Sequence, residues 1–246
     1  MIQATFELAT TATQRVVRAL DGARTPAAQH VFTQLYADAA RDVAQHCDKE
    51  LQAGRNLGAL HGVCLTIKDN LDVAQETTMA GSVVCAGEAP ARRDAPVVQR
   101  LRDAGAVILG KTNMSEFAFS GVGINPHHGT PTNPADTSQA RVPGGSSSGA
   151  AVAVALGLSE VGIGTDTGGS IRIPAALCGL VGYKSTQTRI PRTGVMELSR
   201  TLDTVGSITR SVRACLAVDA VMSQQALPTD AAPLRGLRFA VPQTLM

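Results

Sequence analysis

The chain has 246 residues, of which 44% are hydrophobic and 17% charged, and this is enough for one large globular domain or two small ones. Its formal net charge of +2 is too small to indicate nucleic acid or a membrane surface as a partner. Aromatic residues make up 3% of the chain and none is tryptophan, so we do not expect a stacking platform for bases.

The cysteines and the N-terminus bear on where the protein works. The chain has five cysteines, an odd number, at wide spacings and without a CxxC pair: Cys47, Cys64, Cys85, Cys178 and Cys215. This pattern favours reduced, buried thiols over a disulfide framework or a zinc site. The N-terminus lacks the basic start and apolar core of a signal peptide, and the apolar run 149–158 is about half the length of a membrane span. We therefore expect a cytoplasmic protein without a membrane segment, metal or cofactor.

Hydrophobic periodicity predicts helices and strands that alternate along the chain. Apolar residues at helical spacing predict a helix from 26 to 54, with Pro26 near its start and Gly54 just past its end. The other predicted elements are a strand at 61–67, a helix at 96–104, a buried strand at 106–109, a loop region at 120–148, a small-residue helix at 149–158, a strand at 160–164, a Gly-rich turn at 165–170, a helix at 171–178 and a strand at 237–241. Alternation of this kind predicts an α/β fold.

The lysines are few. Only four of the 22 basic residues are lysine: Lys49, Lys68, Lys111 and Lys184. Arginine cannot act as a base near neutral pH, whereas a buried lysine can, because burial disfavours its charged form. Lys68 directly follows the apolar strand at 61–67, which makes it a candidate base. The alternative is a buried ion pair of Lys68 with Asp69 or Asp166.

Two short motifs match the residue patterns of known sites, but the residues around them do not predict the secondary structure that those sites require. Residues 105–112 match the P-loop pattern, but the four variable positions are the apolar residues 106–109, which predict a strand, and a strand cannot wrap a phosphate. Residues 145–149 match the nucleophile elbow of α/β-hydrolases, with Ser147 at the centre. Pro143 argues against the required preceding strand, and all five histidines come earlier in the chain. The adjacent pair His127 and His128 is interpreted as a solvated or loop-packing pair.

Two Gly- and Ser-rich segments carry a third interpretation. One is Pro143–Gly149, which on composition alone could also be a flexible linker, and the other is Asp166–Pro174. A helix and a strand lie between them, so the two segments can meet in space. Adjacent glycines before Ser170 leave backbone N–H groups unobstructed, as an oxyanion hole requires.

Taken in order, these segments resemble the amidase signature family. The resemblance rests on Cys64–Asn70, Gly110–Met114, Gly144–Gly149 and Asp166–Pro174, and it extends from about Leu60 to Gly206. The spacing of 24 residues between Ser146 and Ser170 is the one usual for the two catalytic serines of that family. The resemblance implies a mixed β-sheet core covered by helices, with residues 1–56 as an N-terminal helical segment and residues 57–246 as the catalytic core.

The resemblance also implies a Ser–cisSer–Lys triad. Ser170 would attack the amide carbonyl, Ser146 would relay the proton, and Lys68 would receive it. The N–H groups of Thr167, Gly168, Gly169 and Ser170 would hold the oxyanion, and Ser120 and Gly121 would border the acyl pocket. Arg172 is expected to brace Asp166 or another acid.

Three functions remain open from the sequence. The first is a hydrolase of small amides that uses water, acts without direct contact to nucleic acid and forms a homodimer. The second is the A-type glutaminase subunit of a transfer-RNA-dependent glutamyl or aspartyl amidotransferase, although residues 189–199 look more like general amidases. The third is an inactive remnant, because family members usually continue well beyond residue 246 and we expect this fold to be incomplete at its C-terminus.

Overall fold

The computed structural model describes residues 5–6, 8–226 and 235–238. The α-helices assigned within these residues are α1 (Ala12–Gly22), α2 (Ala37–Gln52), α3 (Pro96–Asp103), α4 (Ser148–Ala155), α5 (Arg172–Leu177) and α6 (Val212–Ser223). The strands are β1 (Phe32–Leu35), β2 (Cys64–Lys68), β3 (Val107–Thr112), β4 (Val161–Asp166), β5 (Val181–Tyr183) and β6 (Thr204–Thr209). Short 3₁₀ turns occur at Pro26–Ala28, Val83–Gly87 and Glu116–Ala118.

These strands belong to one mixed sheet in the order β1-β3-β2-β4-β6-β5. The central strands β3, β2 and β4 are parallel, whereas β1, β6 and β5 join as antiparallel neighbours. Every residue of β2, β3, β4 and β6 is buried, as is typical of strands that are covered on both faces. The predicted mixed α/β sheet is confirmed.

Helix α4 packs very closely on the sheet because both partners are made of small residues. Residues 148–154 are all buried, and a helix that is apolar all round belongs in a core. A methyl group built on Gly149 would lie 2.3 Å from the Val31 carbonyl oxygen, and one built on Gly162 of β4 would lie 2.8 Å from the Ala150 oxygen. Glycine is therefore required at both contacts.

The sequence-based elements agree with the structure in the middle of the chain and differ near its start. Helix α2 begins at Ala37, not at 26, because residues 26–36 form a 3₁₀ turn and the edge strand β1. The predicted helix at 171–178 is confirmed despite Pro174, which sits in the first helical turn, where N–H groups have no partner within the helix. The strand predicted at 237–241 falls largely outside the described residues.

All five cysteines are free and buried, as the sequence predicted. Among the helices of the described residues, none is both long and apolar enough to span a membrane.

Candidate active site

The end of strand β2 and the end of strand β4 lie side by side. These strands are parallel neighbours, with Ile67 opposite Ile163, so their carboxyl ends reach the same edge of the sheet. Lys68 is the last residue of β2, and Thr165 and Asp166 are the last two of β4. The register therefore places the Lys68 ammonium next to the segment that carries Ser170.

Lys68 is fully buried and contacts hydroxyl groups. Its Nζ donates to Ser146 Oγ at 2.6 Å and to Thr165 Oγ1 at 2.7 Å. Burial lowers the pKa of Lys68 from 10.5 to about 7, against the opposing effects of the Asp166 and Asp203 carboxylates. A lysine with this pKa is partly neutral near pH 7 and can accept a proton.

The ion-pair alternative for Lys68 is wrong for both candidate partners, because each has another cation. Lys111 lies 3.3 Å from Asp69, and Arg172 makes two hydrogen bonds to Asp166, at 3.0 and 2.9 Å. Within the described part of the chain Lys68 forms no ion pair. The prediction that Arg172 braces Asp166 is confirmed.

The two serines lie at opposite ends of one helix–strand unit. Ser146 lies just before α4, which leads away from the site, and β4 returns to it shortly before Ser170. The Ser147 N–H donates to the Ser170 carbonyl at 3.1 Å, and the peptide bond between Gly145 and Ser146 is cis. Ser170 itself is 7% exposed. The hydrogen bonds found among the described residues join Lys68 to Ser146, and the further link from Ser146 to Ser170 stays a prediction.

The Gly-rich turn before Ser170 is held by Asp166. This carboxylate accepts the N–H of Gly169 at 2.8 Å and that of Ile171 at 3.1 Å. Although burial acts in the opposite direction, the Arg172 guanidinium and the backbone N–H groups of Ile171 and Arg172 keep the pKa of Asp166 below its ordinary value. The Gly169 N–H already donates to Asp166, so it is not free to bind an oxyanion. The remaining candidate oxyanion donors are the N–H groups of Thr167, Gly168 and Ser170. A methyl group built on Gly168 would meet nothing within 4 Å, so this face of the turn is open.

A cleft of about 670 Å³ lies beside the serine loop, the segment Pro143–Gly149 that carries Ser146. Its lining residues are Ser115, Glu116, Phe117, Phe119, Ser120, Ile124, Pro126, Glu197 and Leu198. The Ser115 N–H donates to the Ser146 carbonyl at 3.1 Å, and the Gly145 N–H donates to the Gly121 carbonyl at 2.8 Å. The structure thus places Ser120 and Gly121 next to the serine loop. The family resemblance predicts the border of an acyl pocket at these two residues.

The two literal motif matches do not form the sites that their letters suggest. Gly110, Lys111 and Thr112 lie within strand β3, so the P-loop pattern is a buried strand, as predicted. Ser147 is fully buried, and its hydroxyl donates to the Thr165 carbonyl at 3.3 Å, so it is not an exposed elbow nucleophile.

The histidine pair packs within its own loop. The backbone N–H groups of His127 and His128 both donate to Asn125 Oδ1, and the His127 ring contacts Glu116 at 3.0 Å. His127 is also exposed, so the interpretation as a solvated or loop-packing pair is confirmed. Within the described residues no group of His, Cys, Asp and Glu is arranged to hold a metal.

Two residues beside Lys68 and the turn were not predicted from the sequence. Thr165 was assigned to the Gly-rich turn, whereas it lies in β4 and binds Lys68. Asp203, just before β6, accepts a hydrogen bond from the Thr167 hydroxyl. Extending the predicted strand 160–164 by one residue would have placed Thr165 beside Lys68, but no local signal links Asp203 to the turn.

Comparison with known proteins decides the family, because residues 15–243 match the Amidase family. The chain belongs to this family. It is 41% identical over 233 residues to the A-type subunit of a glutamyl-tRNA(Gln) amidotransferase of Acidothermus cellulolyticus, covering 89% of this chain and 46% of that protein. It is 42% identical over 207 residues to a 2-amino-5-chloromuconic acid deaminase of Comamonas testosteroni, covering 82% of this chain and 44% of that protein.

Solved structures of the family share the fold. The peptide amidase of Stenotrophomonas maltophilia superposes with a TM-score of 0.79 and 39% identity, over 93% of this chain and 49% of that one. The present chain thus spans about half the length of the relatives it matches.

Proposed function

We propose that this protein is an amide-bond hydrolase that works through a serine acyl-enzyme, with Lys68, Ser146 and Ser170 as its catalytic residues. The observation that carries the proposal is the environment of Lys68. A fully buried lysine with a pKa of about 7 donates to Ser146 and has no carboxylate partner among the described residues. This is the environment that a lysine base requires, and membership of the Amidase family supports the same reaction.

The first half of the reaction forms the acyl-enzyme. Ser170 Oγ attacks the carbonyl carbon of the amide, and its proton passes to Ser146 Oγ while the Ser146 proton passes to neutral Lys68 Nζ. The carbonyl oxygen becomes an oxyanion, which N–H groups from the turn at Thr167, Gly168 and Ser170 stabilise. The carbon–nitrogen bond then breaks, and the leaving amine takes the proton back from Lys68 through Ser146.

The second half releases the acid. A water molecule attacks the Ser170 ester, giving one proton to Lys68 by way of Ser146, and the bond from the acyl carbon to Ser170 Oγ breaks. Ser170 recovers that proton along the same path, and Lys68 is again neutral. Ser120 and Gly121 would border the acyl group, since their loop is hydrogen-bonded to the Ser115–Ser146 region.

Mass spectrometry of the purified protein tests the proposal directly. Brief incubation with an amide substrate and acid quenching should leave an acyl group on the peptide that contains Ser170. In the Ser170→Ala variant both the adduct and amide hydrolysis should vanish. Hydrolysis that continues in Ser170→Ala at the wild-type rate would contradict the assigned nucleophile.

A second candidate function is the glutaminase component of a transfer-RNA-dependent amidotransferase. The 41% identity to the A-type component of such an enzyme supports it. Hydrolysis of glutamine should then be slow alone and should rise when the remaining components of a related amidotransferase are added. Hydrolysis of simple amides without any response to these components would favour the first function.

We also propose a cellular compartment, partners and an assembly for the enzyme. Five free, buried cysteines support a reducing compartment such as the cytoplasm. The proposed partners are a small amide and water, with no direct contact to nucleic acid, and the proposed assembly is a homodimer. Residues 57–246 would form the catalytic core, with α1 and α2 of the N-terminal segment 1–56 packed against it.

A further inference from the structure

One buried carboxylate of the site region has no role in the scheme above. Asp203 is 4% exposed and directly precedes β6. One of its oxygens accepts a hydrogen bond from the Thr167 hydroxyl, and the other accepts the N–H groups of Leu198 at 2.8 Å and Ser199 at 3.0 Å. A single side chain therefore joins the turn that precedes Ser170 to the segment 198–199.

Both of these connected segments border the proposed reaction. Thr167 is one of the candidate oxyanion donors, and Leu198 lines the cleft beside the serine loop. The chain just before this segment is tied to the Lys68 side of the site, because the Met196 N–H donates to the carbonyl of Asn70, two residues after Lys68, at 2.8 Å. Asp203 thus connects the turn that carries the candidate oxyanion donors to a wall of the cleft.

The hydrogen-bonding partners require a carboxylate at this position. All three groups that face it are donors, and an ionised carboxylate is the side chain that accepts on both of its oxygens. Among the described residues, no lysine, arginine or histidine forms an ion pair with Asp203. Lys184 is nearby but donates to the Leu202 carbonyl and to Thr204. Asp166 and Asp69, by contrast, each have a cation partner.

We propose that Asp203 is a positioning residue of the amide hydrolysis, which fixes the Thr167 turn against the Leu198 wall of the cleft and leaves an uncompensated negative charge near Lys68. The inference rests on the proposed function of Lys68 and Ser170. The charged groups around Lys68 are Asp166 with Arg172 bound to it, Asp69 with Lys111 bound to it, and Asp203. Among the described residues, Asp203 is the one of these carboxylates that forms no ion pair. Burial lowers the pKa of Lys68, and the Asp166 and Asp203 carboxylates both act to raise it.

The test uses Asp203→Asn, which keeps the shape and removes the charge. Because an oxyanion donor acts mainly in the transition state, misplacing the turn should lower kcat about 10- to 100-fold with a change in KM of less than about threefold. Removing the negative charge should also lower the pKa of Lys68. Since the neutral lysine is the active form, the acidic limb of the kcat/KM profile should move to lower pH, which a purely structural role would not cause.

The control variant is Asp48→Asn. Asp48 also accepts two backbone N–H groups, those of Ala12 at 2.8 Å and Thr13 at 2.9 Å, but it lies on α2 away from the site. We expect its kcat and pH profile to match the wild type. Thr167→Val removes the hydroxyl contact from the other side and should lower kcat as well, which keeps the inference testable if Asp203→Asn does not fold.

The role of Asp203 would be overturned by a folded Asp203→Asn variant whose kcat lies within threefold of the wild type and whose acidic limb has not moved. A folded Thr167→Val variant with kcat within threefold of the wild type would overturn it as well. Either outcome differs from failure of the proposed function. In that case the wild type itself would neither hydrolyse amides nor form an acyl group on Ser170.

Discussion

Lys68 and Lys111 lie on neighbouring strands and both are buried, but among the described residues only Lys111 of the two forms an ion pair with a carboxylate. Lys111 has the Asp69 carboxylate at 3.3 Å, whereas Lys68 has the hydroxyls of Ser146 and Thr165. Burial lowers the pKa of both ammonium groups. Of the two, only Lys68 can release its proton without leaving a buried carboxylate unpaired. Lys111 is therefore a structural lysine, whereas Lys68 is a candidate base.

This contrast predicts that Lys111 matters for stability. Lys111→Met leaves Asp69 buried without its cation, and removing one partner of a buried ion pair typically costs about 3–5 kcal/mol. Urea unfolding of the purified variant measures the loss. The control is Arg55→Gln, which breaks a surface pair with Glu50 and should leave the free energy of unfolding nearly unchanged. Equal, small losses in both variants would argue against a structural pair at Lys111.

Thr165 should hold Lys68 in the direction of Ser146. Thr165→Val keeps the shape but removes one of the two hydroxyl partners of Lys68 Nζ, so the ammonium can rotate away and hydrolysis should slow about tenfold or more. Thr165→Ser restores the hydroxyl and should recover most of the rate. A folded Thr165→Val variant as fast as Thr165→Ser would show that this contact does not position Lys68.

At the scale of elements, α4 and its close contacts place both serines at one edge of the sheet. A methyl group at Gly149 would collide with backbone atoms of Val31 and Asn113, and such atoms cannot move aside as a flexible side chain can. Gly149→Ala should therefore destabilise the fold by about 1–3 kcal/mol. Gly87→Ala, where an added methyl group meets nothing within 4 Å, is the control and should leave the melting temperature nearly unchanged. Equal melting temperatures for both variants would contradict the close contact.

Several elements with strong local patterns could be predicted, whereas strand β1, which is defined by distant pairing, could not. Helix α4 and strand β4 follow from runs of small and apolar residues, and the loop between Ser120 and Ser147 follows from its Gly and Pro content. Strand β1 has only four residues, and its partner strand β3 lies far along the chain, with Phe32 opposite Thr112. Its apolar residues fit a helical spacing equally well, which is why the helix was predicted to begin too early.

At the scale of the whole molecule, the candidate site combines two kinds of residue. Some lie in segments that local motifs identify, and others reach the site only through the pairing of distant strands. The proposed catalytic residues Lys68, Ser146 and Ser170 could be named from the sequence because each lies in a recognisable family segment. Thr165 and Asp203 could not, since their contacts depend on the register of β4 beside β2 and on the return of the chain before β6. The hydrogen bond from the Gly169 N–H to Asp166 could not be predicted from the sequence either, because it depends on the direction of the Asp166 side chain.

The burial of the thiols gives a prediction for the whole chain. All five cysteines are buried, and burial raises the pKa of the Cys64, Cys178 and Cys215 thiols, so the reactive thiolate is scarce. A thiol reagent such as Ellman's reagent should react slowly with the native protein and with five groups per chain after unfolding in guanidinium chloride. Rapid reaction of several thiols in the native protein would contradict this packing.

The central claim is that a neutral, buried Lys68 activates Ser170, and the pH dependence of fluorophosphonate labelling tests it most directly. The label should appear on Ser170, and its rate should rise with pH through the pKa of Lys68 at about 7, because the lysine must lose its proton to act as the base. Lys68→Ala should slow labelling at least about a hundredfold, the contribution typical of a positioned base. The account is contradicted if folded protein takes no label on Ser170, or if Lys68→Ala is labelled at the wild-type rate.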